Sequence, residues 1–218
     1  MPAAYVFDAY GTLFDVHAAI ARYRDKAGPD ADRMSEVWRN KQLEYTWTLT
    51  LSGQYTEFWT LTERALDFAL ARVPSVDKSL KAQLLDAYFK LDAFPDAKDA
   101  LRRLKEKGHR SAILSNGSPK MLKGAVDAAG IDGLLDAVIS VDPIRIYKPR
   151  AEVYKLVTDR YNCKPADIVF VSSNRWDVMA GMHNGFKGVW VNRAKNPDEY
   201  GLPDKMLPDL ASLPDLAV

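Results

Sequence analysis

The chain has 218 residues, 47% of them hydrophobic, and its 30 Lys and Arg against 29 Asp and Glu give a formal net charge of +1. A balance this close to neutral argues against a protein that binds nucleic acid or an anionic membrane, so we expect a small-molecule ligand. The single cysteine, Cys163, excludes an intramolecular disulfide. Because we find no leader pattern and no run of about eighteen apolar residues, we expect a cytoplasmic protein without a membrane partner.

The predicted elements begin with a short buried strand at residues 5–7, followed at once by the hexapeptide DAYGTL at positions 8–13. From residue 15 to about residue 92 no comparable strand run occurs, and apolar residues recur at helical spacing. This segment is therefore predicted to be an inserted subdomain of about four helices. Pro95 marks the expected return of the chain, because proline disfavours helix at the residue before it.

Strands and helices alternate after residue 95. Strands are predicted at residues 111–114, 137–141, 168–171 and 189–192, and helices at residues 96–107, 120–129, 151–161 and 177–184. The alternation predicts parallel pairing with right-handed crossovers, and so an α/β fold with a doubly wound, mostly parallel sheet. Residues 144–147 are expected to extend the third strand. The tail from residue 196 carries four prolines and is expected to be irregular chain laid over the core.

Polar motifs follow four of the predicted strands. They are DAYGTL at 8–13, SNG at 115–117, YKP at 147–149 and SSNRWD at 172–177. Because the carboxyl ends of parallel strands meet at one edge of a sheet, these motifs are expected to converge on one crevice. Each residue alone has an ordinary explanation: Asp8 as a turn former, Lys148 as an exposed cation, Asp177 as a helix cap. Their joint placement favours a catalytic site.

The four motifs, in this order, resemble those of the L-2-haloacid dehalogenases in the haloacid dehalogenase (HAD) superfamily. The segment RNKQLEYTW at 39–47 also resembles the cap helix of that family. The resemblance implies a Rossmann-like HAD core of residues 1–14 and 95–218, an inserted helical cap of residues 15–94, and a homodimer. It further implies cofactor-free hydrolysis of short L-2-haloalkanoic acids to D-2-hydroxy acids, with release of halide.

The resemblance also implies catalytic roles. Asp8 is expected to displace the halide with inversion and to form an aspartyl ester, while Lys148 keeps Asp8 ionised. Asp177 is expected to activate the water that hydrolyses this ester. The expected catalytic set is completed by Ser172 and Asn174, which place the water, and by Thr12, which holds the Asp8 carboxylate. For Thr12, capping of the turn is an equally open alternative.

Binding roles follow from the same resemblance. The halide is expected against Arg39, Asn116 and Trp176, because a guanidinium is always charged and weakly hydrated. Direct halide contact and wall packing are equally open for Trp176. The substrate carboxylate is expected at the Ser115 hydroxyl and at backbone N–H groups near Tyr10 and Gly11. The cap pocket is expected to include Gln42, Leu43 and Phe58, although Phe58 as plain core is also open.

Two other functions compete with this interpretation. HAD phosphatases carry a second Asp where this chain has Tyr10, and they use it to protonate a poor leaving group, whereas a halide departs without a proton. An acid of their metal site is replaced here by Ser172 or Ser173, so we expect neither a metal nor another cofactor. A non-catalytic binding module is the third possibility, and the presence of both Asp8 and Asp177 argues against it.

Overall fold

The computed structural model describes residues 2–201 and 203–217. In these residues, six strands form one sheet: β1 (Ala4–Phe7), β2 (Ser111–Ser115), β3 (Ala137–Ser140), β4 (Ile168–Ser172), β5 (Lys187–Val191) and β6 (Lys205–Leu207). Their order is β3-β2-β1-β4-β5-β6, and all neighbours pair in parallel. The predicted α/β fold with a parallel sheet is thereby confirmed. The uninterrupted apolar residues of β1 and β4 suit strands that are buried on both faces.

Four helices connect the strands: α6 (Ala97–Glu106), α7 (Pro119–Ala129), α8 (Ala151–Tyr161) and α9 (Arg175–His183). Their bounds lie within two residues of the predicted ones. The sheet order reverses at β1, with β2 on one side and β4 on the other. Right-handed crossovers then place helices on both faces, and the reversal opens a crevice beyond the carboxyl end of β1.

Residues 15–94, all of which the structure describes, contain helices and no regular strand. The helices are α1 (Ala18–Ala21), α2 (Arg24–Ala27), α3 (Ala31–Leu51), α4 (Phe58–Arg72) and α5 (Lys81–Phe89). The two ends of this segment lie side by side, because Asp15 N–H donates to Asp92 O at 3.0 Å and Phe94 N–H donates to Leu13 O at 2.8 Å. This geometry is typical of an insertion, and the division into core and cap stays a prediction.

Two local predictions are wrong. The third strand is not extended through residues 144–147, because β3 ends at Ser140, a 3₁₀ turn follows at Asp142–Ile144, and Arg145 is left-handed with φ of 55°. The tail is not irregular throughout, because β6 pairs with β5 and closes that edge of the sheet. None of the helices in the described residues combines the length and apolar character needed to cross a bilayer.

Candidate active site

Asp8 is the first residue beyond β1 and lies at the carboxyl edge of the sheet centre, where it is 6% exposed. Its oxygen Oδ2 accepts hydrogen bonds from Thr12 Oγ1 at 3.1 Å and from Asn174 Nδ2 at 2.8 Å. Lys148 Nζ donates to Oδ1 at 3.1 Å. The carboxylate is therefore fixed through both oxygens and faces a cation in a site from which most water is excluded.

The turn after Asp8 folds back on itself. Gly11 has φ of 93°, a conformation that glycine adopts without strain, and its N–H donates to Phe14 O at 2.8 Å. Leu13 N–H donates to Ala9 O at 2.9 Å. The Gly11 N–H is used within the turn, and Gly11 shapes the loop that presents Asp8. Binding of the substrate carboxylate by backbone N–H groups near Tyr10 and Gly11 stays a prediction.

Lys148 lies between two carboxylates. Its Nζ is 2.7 Å from Asp177 Oδ2 as well as 3.1 Å from Asp8 Oδ1, and its side chain is 1% exposed. Burial opposes the charge of the ammonium, but Asp177 and Asp8 together outweigh burial and raise the pKa of Lys148 above its usual value. Asn116 Oδ1 accepts the Lys148 backbone N–H at 2.9 Å. The SNG and YKP motifs therefore meet, as predicted from the strand ends.

Asp177 lies in the first turn of α9 and is completely buried. Its Oδ1 accepts the O–H of Tyr154 at 2.5 Å. Burial raises the pKa of Asp177 to about 6, with Lys148 acting in the opposite direction. Tyr154 was missed in the sequence because it belongs to the apolar stripe of α8, with Val153 and Val157, where a phenol looks like core.

Two serines and Thr12 hold the loops together. Ser172 Oγ accepts the Asn174 N–H at 3.0 Å, and Ser115 Oγ accepts the Gly117 N–H at 3.1 Å. Thr12 Oγ1 accepts the Ser173 N–H at 2.8 Å while it donates to Asp8. Thr12 therefore joins the loop after β4 to the Asp8 carboxylate; this fits the first of its two sequence-based alternatives, since the N–H that it accepts lies outside its own turn.

Arg39 reaches the Asp8 loop from α3. Its Nη2 donates to Tyr10 O at 3.1 Å, and its Nη1 donates to Gln42 Oε1 at 2.8 Å. Gln42 is completely buried, with its Nε2 donating to Thr62 Oγ1 at 2.7 Å and its Oε1 accepting the Tyr88 O–H at 3.1 Å. Gln42 therefore uses both acceptor positions of its amide oxygen, and one of these hydrogen bonds orients Arg39.

The remaining predicted residues form aromatic and aliphatic walls. Tyr10 is buried, and its ring lies 6.0 Å from that of Phe58 and 5.8 Å from that of Tyr88, measured between ring centroids. Trp176 packs edge-to-face on Trp47 of α3 at 5.4 Å, which supports the wall-packing alternative. Leu43 is half-buried on α3. The structure does not bring Leu43 or Trp176 into the hydrogen-bond network of Asp8 in the described residues.

A cavity of about 460 Å³ reaches this network, with Gly11, Arg39 and Asn174 in its lining. The cavity offers room for a small molecule beside a guanidinium and a side-chain amide. In residues 2–201 and 203–217, no three His, Cys, Asp or Glu side chains are grouped so that they could hold a metal ion. The cation that faces Asp8 is the ammonium of Lys148.

Comparisons with known proteins agree with this geometry. A family model described as haloacid dehalogenase-like hydrolase matches residues 2–185. (S)-2-haloacid dehalogenase 1 of Pseudomonas sp. (strain CBS-3) is 46% identical over 216 residues, which is 98% of this chain and 95% of that protein. (S)-2-haloacid dehalogenase 4A of Burkholderia cepacia is 48% identical over 198 residues, 90% of this chain and 86% of that protein.

A solved structure extends the similarity to three dimensions. It is L-2-haloacid dehalogenase from Xanthobacter autotrophicus with chloropropionic acid covalently bound, and it superposes with a TM-score of 0.86 at 34% identity. The match covers 99% of this chain and 98% of that chain. Core and inserted helices are therefore both included in the similarity.

Proposed function

The chain belongs to the L-2-haloacid dehalogenase family of the HAD superfamily, and from this premise we propose that it hydrolyses short L-2-haloalkanoic acids. The products are the D-2-hydroxy acid and halide. One observation carries the proposal: the buried Asp8 carboxylate is held by Lys148, Thr12 and Asn174, while Tyr10 stands where a phosphatase would place its second acid.

In the first half-reaction, an oxygen of Asp8 attacks C2 of the substrate in line with the carbon–halogen bond. That bond breaks, the halide leaves with the electron pair, and C2 is inverted as an aspartyl ester forms. Lys148 keeps Asp8 charged before the attack, and Thr12 and Asn174 orient it. Burial removes most of the water that would otherwise solvate the nucleophile, and fixed donors replace that water.

In the second half-reaction, Asp177 takes a proton from water, and the water oxygen attacks Cγ of the Asp8 ester. The pKa of Asp177, which burial raises to about 6, suits a base that must be ionised near neutral pH. Lys148 and Thr12 are placed to donate to the oxyanion on Asp8. When the bond from Cγ to the ester oxygen breaks, the leaving alkoxide takes the proton that Asp177 holds, the proton of the new Asp8 carboxyl group passes to solvent, and the product keeps an oxygen atom that came from Asp8.

The halide and the substrate carboxylate are assigned to separate sets of residues. Arg39, Asn116 and Trp176 cradle the halide, and the support for this is the reach of the Arg39 guanidinium to the Tyr10 carbonyl. The Ser115 hydroxyl holds the substrate carboxylate. Leu43 and Phe58 line the cap side of the chamber.

We also propose that the enzyme works without a metal and that it is a cytoplasmic homodimer. The exposed side chains of Leu51 in α3 and Phe68 in α4 are available for pairing between two copies of the chain.

One cycle with enzyme in excess, run in water enriched in ¹⁸O, tests the covalent scheme. We expect the first product to carry an unlabelled hydroxyl and the polypeptide to gain one ¹⁸O atom at Asp8. A labelled hydroxyl together with an unlabelled polypeptide would contradict the aspartyl ester.

Chloride release from each enantiomer of 2-chloropropionate, with and without EDTA, tests the class of enzyme. We expect chloride release from the L form only and no effect of the chelator.

A further inference from the structure

The residue that precedes Lys148 is held by the connection between α3 and α4, residues 52–57. Tyr147 is completely buried, and its O–H donates to Thr56 O at 2.5 Å. Its backbone N–H donates to Thr50 Oγ1, in the last turn of α3, at 3.3 Å. Its ring stacks on that of Tyr55 at 5.1 Å. Backbone, ring and hydroxyl of one residue are thus all attached to the same inserted segment.

The same connection also holds the start of the loop that leads to Lys148. The Tyr55 O–H donates to Asp142 Oδ1, and the Arg145 guanidinium lies 5.1 Å from the centroid of the Tyr55 ring. Burial raises the pKa of both phenols, Tyr55 and Tyr147, so both remain donors across the working pH range. The loop at residues 141–147 is therefore fastened at both of its ends.

Lys148 follows this loop directly, and the hydrogen bond of its own backbone in the described residues goes to Asn116, in the loop after β2. Asn116 Oδ1 holds the Lys148 N–H, and the ammonium must then span to two carboxylates at 2.7 and 3.1 Å. A lysine side chain is flexible and does not by itself fix where its ammonium lies. In the described residues Tyr147 makes no polar contact with Asp8 or Asp177; it precedes Lys148 in the chain, and its ring lies 6.0 Å from that of Phe58.

We propose that Tyr147, Tyr55 and Asp142 form a clamp, the Tyr147 clamp, by which the inserted helical segment positions Lys148 between Asp8 and Asp177. These three are positioning residues. The clamp makes the placement of a core ammonium depend on contacts with the α3–α4 connection. Its kinetic consequence rests on the dehalogenation proposed above.

The clamp has a consequence for pH dependence. Asp177 is faced by Lys148, by Asp8 from the end of β1 and by the Tyr154 phenol from α8. Lys148 lowers the pKa of Asp177 against burial and against Asp8, so a displaced ammonium lets that pKa rise. Because Asp177 acts in its ionised form, the acid limb of kcat must then move to higher pH. A contact that contributed only to folding would lower the melting temperature and leave the limb in place.

The experiment uses two variants that each remove one hydroxyl and keep the ring, Tyr147→Phe and Tyr55→Phe. The matched control is Tyr161→Phe, which deletes a buried hydroxyl without a hydrogen-bond partner in the described residues. With L-2-chloropropionate, we expect kcat to fall about fivefold in Tyr147→Phe, as for loss of one neutral hydrogen bond, and at least as far in Tyr55→Phe, whose hydroxyl donates to a carboxylate. The acid limb of kcat should move to higher pH in both clamp variants. The control, Tyr161→Phe, should keep the wild-type kcat and the wild-type acid limb. If Tyr147→Phe does not fold, Tyr55→Phe and Asp142→Asn carry the test.

A second measurement needs no substrate and separates the clamp from the proposed reaction. Amide hydrogen exchange of residues 141–150 should accelerate severalfold in the clamp variants and stay unchanged in Tyr161→Phe. Equal exchange in all four proteins would overturn the clamp, whether or not the wild type releases halide. Faster exchange with wild-type kcat and an unmoved acid limb would overturn its role in positioning Lys148. If the wild type releases no halide, the proposed reaction fails and exchange alone decides the clamp.

Discussion

At the scale of single residues, the proposed chemistry depends on one buried ammonium shared by two carboxylates. Lys148 is 2.7 Å from Asp177 and 3.1 Å from Asp8, and no side chain of this trio is more than 9% exposed. The trio combines one ammonium with two carboxylates, so removing Lys148 leaves two carboxylates close together without their cation in a medium of low polarity. The three residues therefore function as one electrostatic unit, although the proposed reaction uses Asp8 and Asp177 in different steps.

The variant Asp177→Asn separates these steps. The first half-reaction needs no base, so one equivalent of halide per active site should still be released in a burst. Steady turnover should then fall about 10²–10⁴-fold, because ester hydrolysis loses its general base. Rapid-mix halide assays and intact mass spectrometry, which detects the 1-carboxyalkyl group added to Asp8, provide the measurement. Turnover at the wild-type rate, or the absence of both burst and adduct, would contradict the role given to Asp177.

The wild-type pH profile gives a companion check on the same residue. A base whose pKa is raised to about 6 is ionised above that pH and protonated below it, so kcat should decline as the pH falls through about 6. The decline should disappear in Asp177→Asn, whose residual turnover lacks the titrating group. Use of citrate and phosphate buffers at equal ionic strength controls for salt screening of the charges on Lys148, Asp8 and Asp177.

The sequence predicts the position of these residues better than their contacts. Asp8, Lys148 and Asp177 could be placed together because each follows a strand or opens the next helix at the same edge of a parallel sheet. Tyr154 could not, since a phenol within an apolar helical stripe carries no pattern of its own. The binding of Asn174 to Asp8 was also out of reach, because it depends on the direction of a side chain in a turn.

At the scale of elements, the segment that follows β5 is hydrogen-bonded to the Asp8 loop through Arg193. Arg193, two residues past β5, donates to Asp96 at 2.9 and 3.0 Å and to the Thr12 carbonyl at 3.2 Å. Its guanidinium also lies 4.0 Å from the centroid of the Phe94 ring. One planar cation thereby connects the end of β5, the residues at which the inserted helices return to the core, and Thr12, which hydrogen-bonds Asp8.

Substitution Arg193→Lys keeps the charge and loses this planar arrangement. We expect the free energy of unfolding to fall by about 1–2 kcal/mol, since an ammonium cannot make the paired hydrogen bonds to Asp96 and also reach Thr12. Urea unfolding followed by circular dichroism measures the change, and halide release should show a lower kcat at unchanged KM.

The matched control is Arg102→Lys on α6, where both ion-pair partners, Asp99 and Glu106, are more than half exposed. We expect this control to stay close to wild type, because exposed ion pairs contribute little. Equal behaviour of the two variants would show that Arg193 is an ordinary surface charge.

The elements that the sequence missed share a physical cause. β6 has three residues between Pro203 and Pro208, too short a run for alternation to be visible, and it exists because β5 offers an unpaired edge. Residues 144–147, which lead to Lys148, do not form the predicted strand extension, because Arg145 adopts a left-handed conformation that its residue type does not suggest. In both cases the tertiary environment, and not local preference, selects the conformation.

At the scale of the whole molecule, the tail closes the structure at two places. β6 covers the edge of β5, and Leu210 and Leu213 are completely buried in the core. Leu210 N–H donates to Asp96 Oδ2 at 2.6 Å, on the same carboxylate that holds Arg193. The tail is therefore linked to the Asp8 loop through Asp96, Arg193 and Thr12, and it belongs to the fold as much as the strands do.

Deletion of residues 204–218 should consequently do more than shorten the chain. Because the exposed β5 edge presents unpaired N–H and C=O groups, we expect the shortened protein to self-associate. Burial of Leu210 and Leu213 is also lost, and we expect this to lower the free energy of unfolding by about 2–5 kcal/mol for each leucine. Sedimentation velocity and urea unfolding of the purified protein measure both effects. Met206→Ala is the matched control, since Met206 lies in β6 but is 60% exposed, and it should leave both unchanged. A truncated protein with the stability and sedimentation of the full chain would mean that the tail merely lies on the surface, and that Asp96 holds Arg193 without its help.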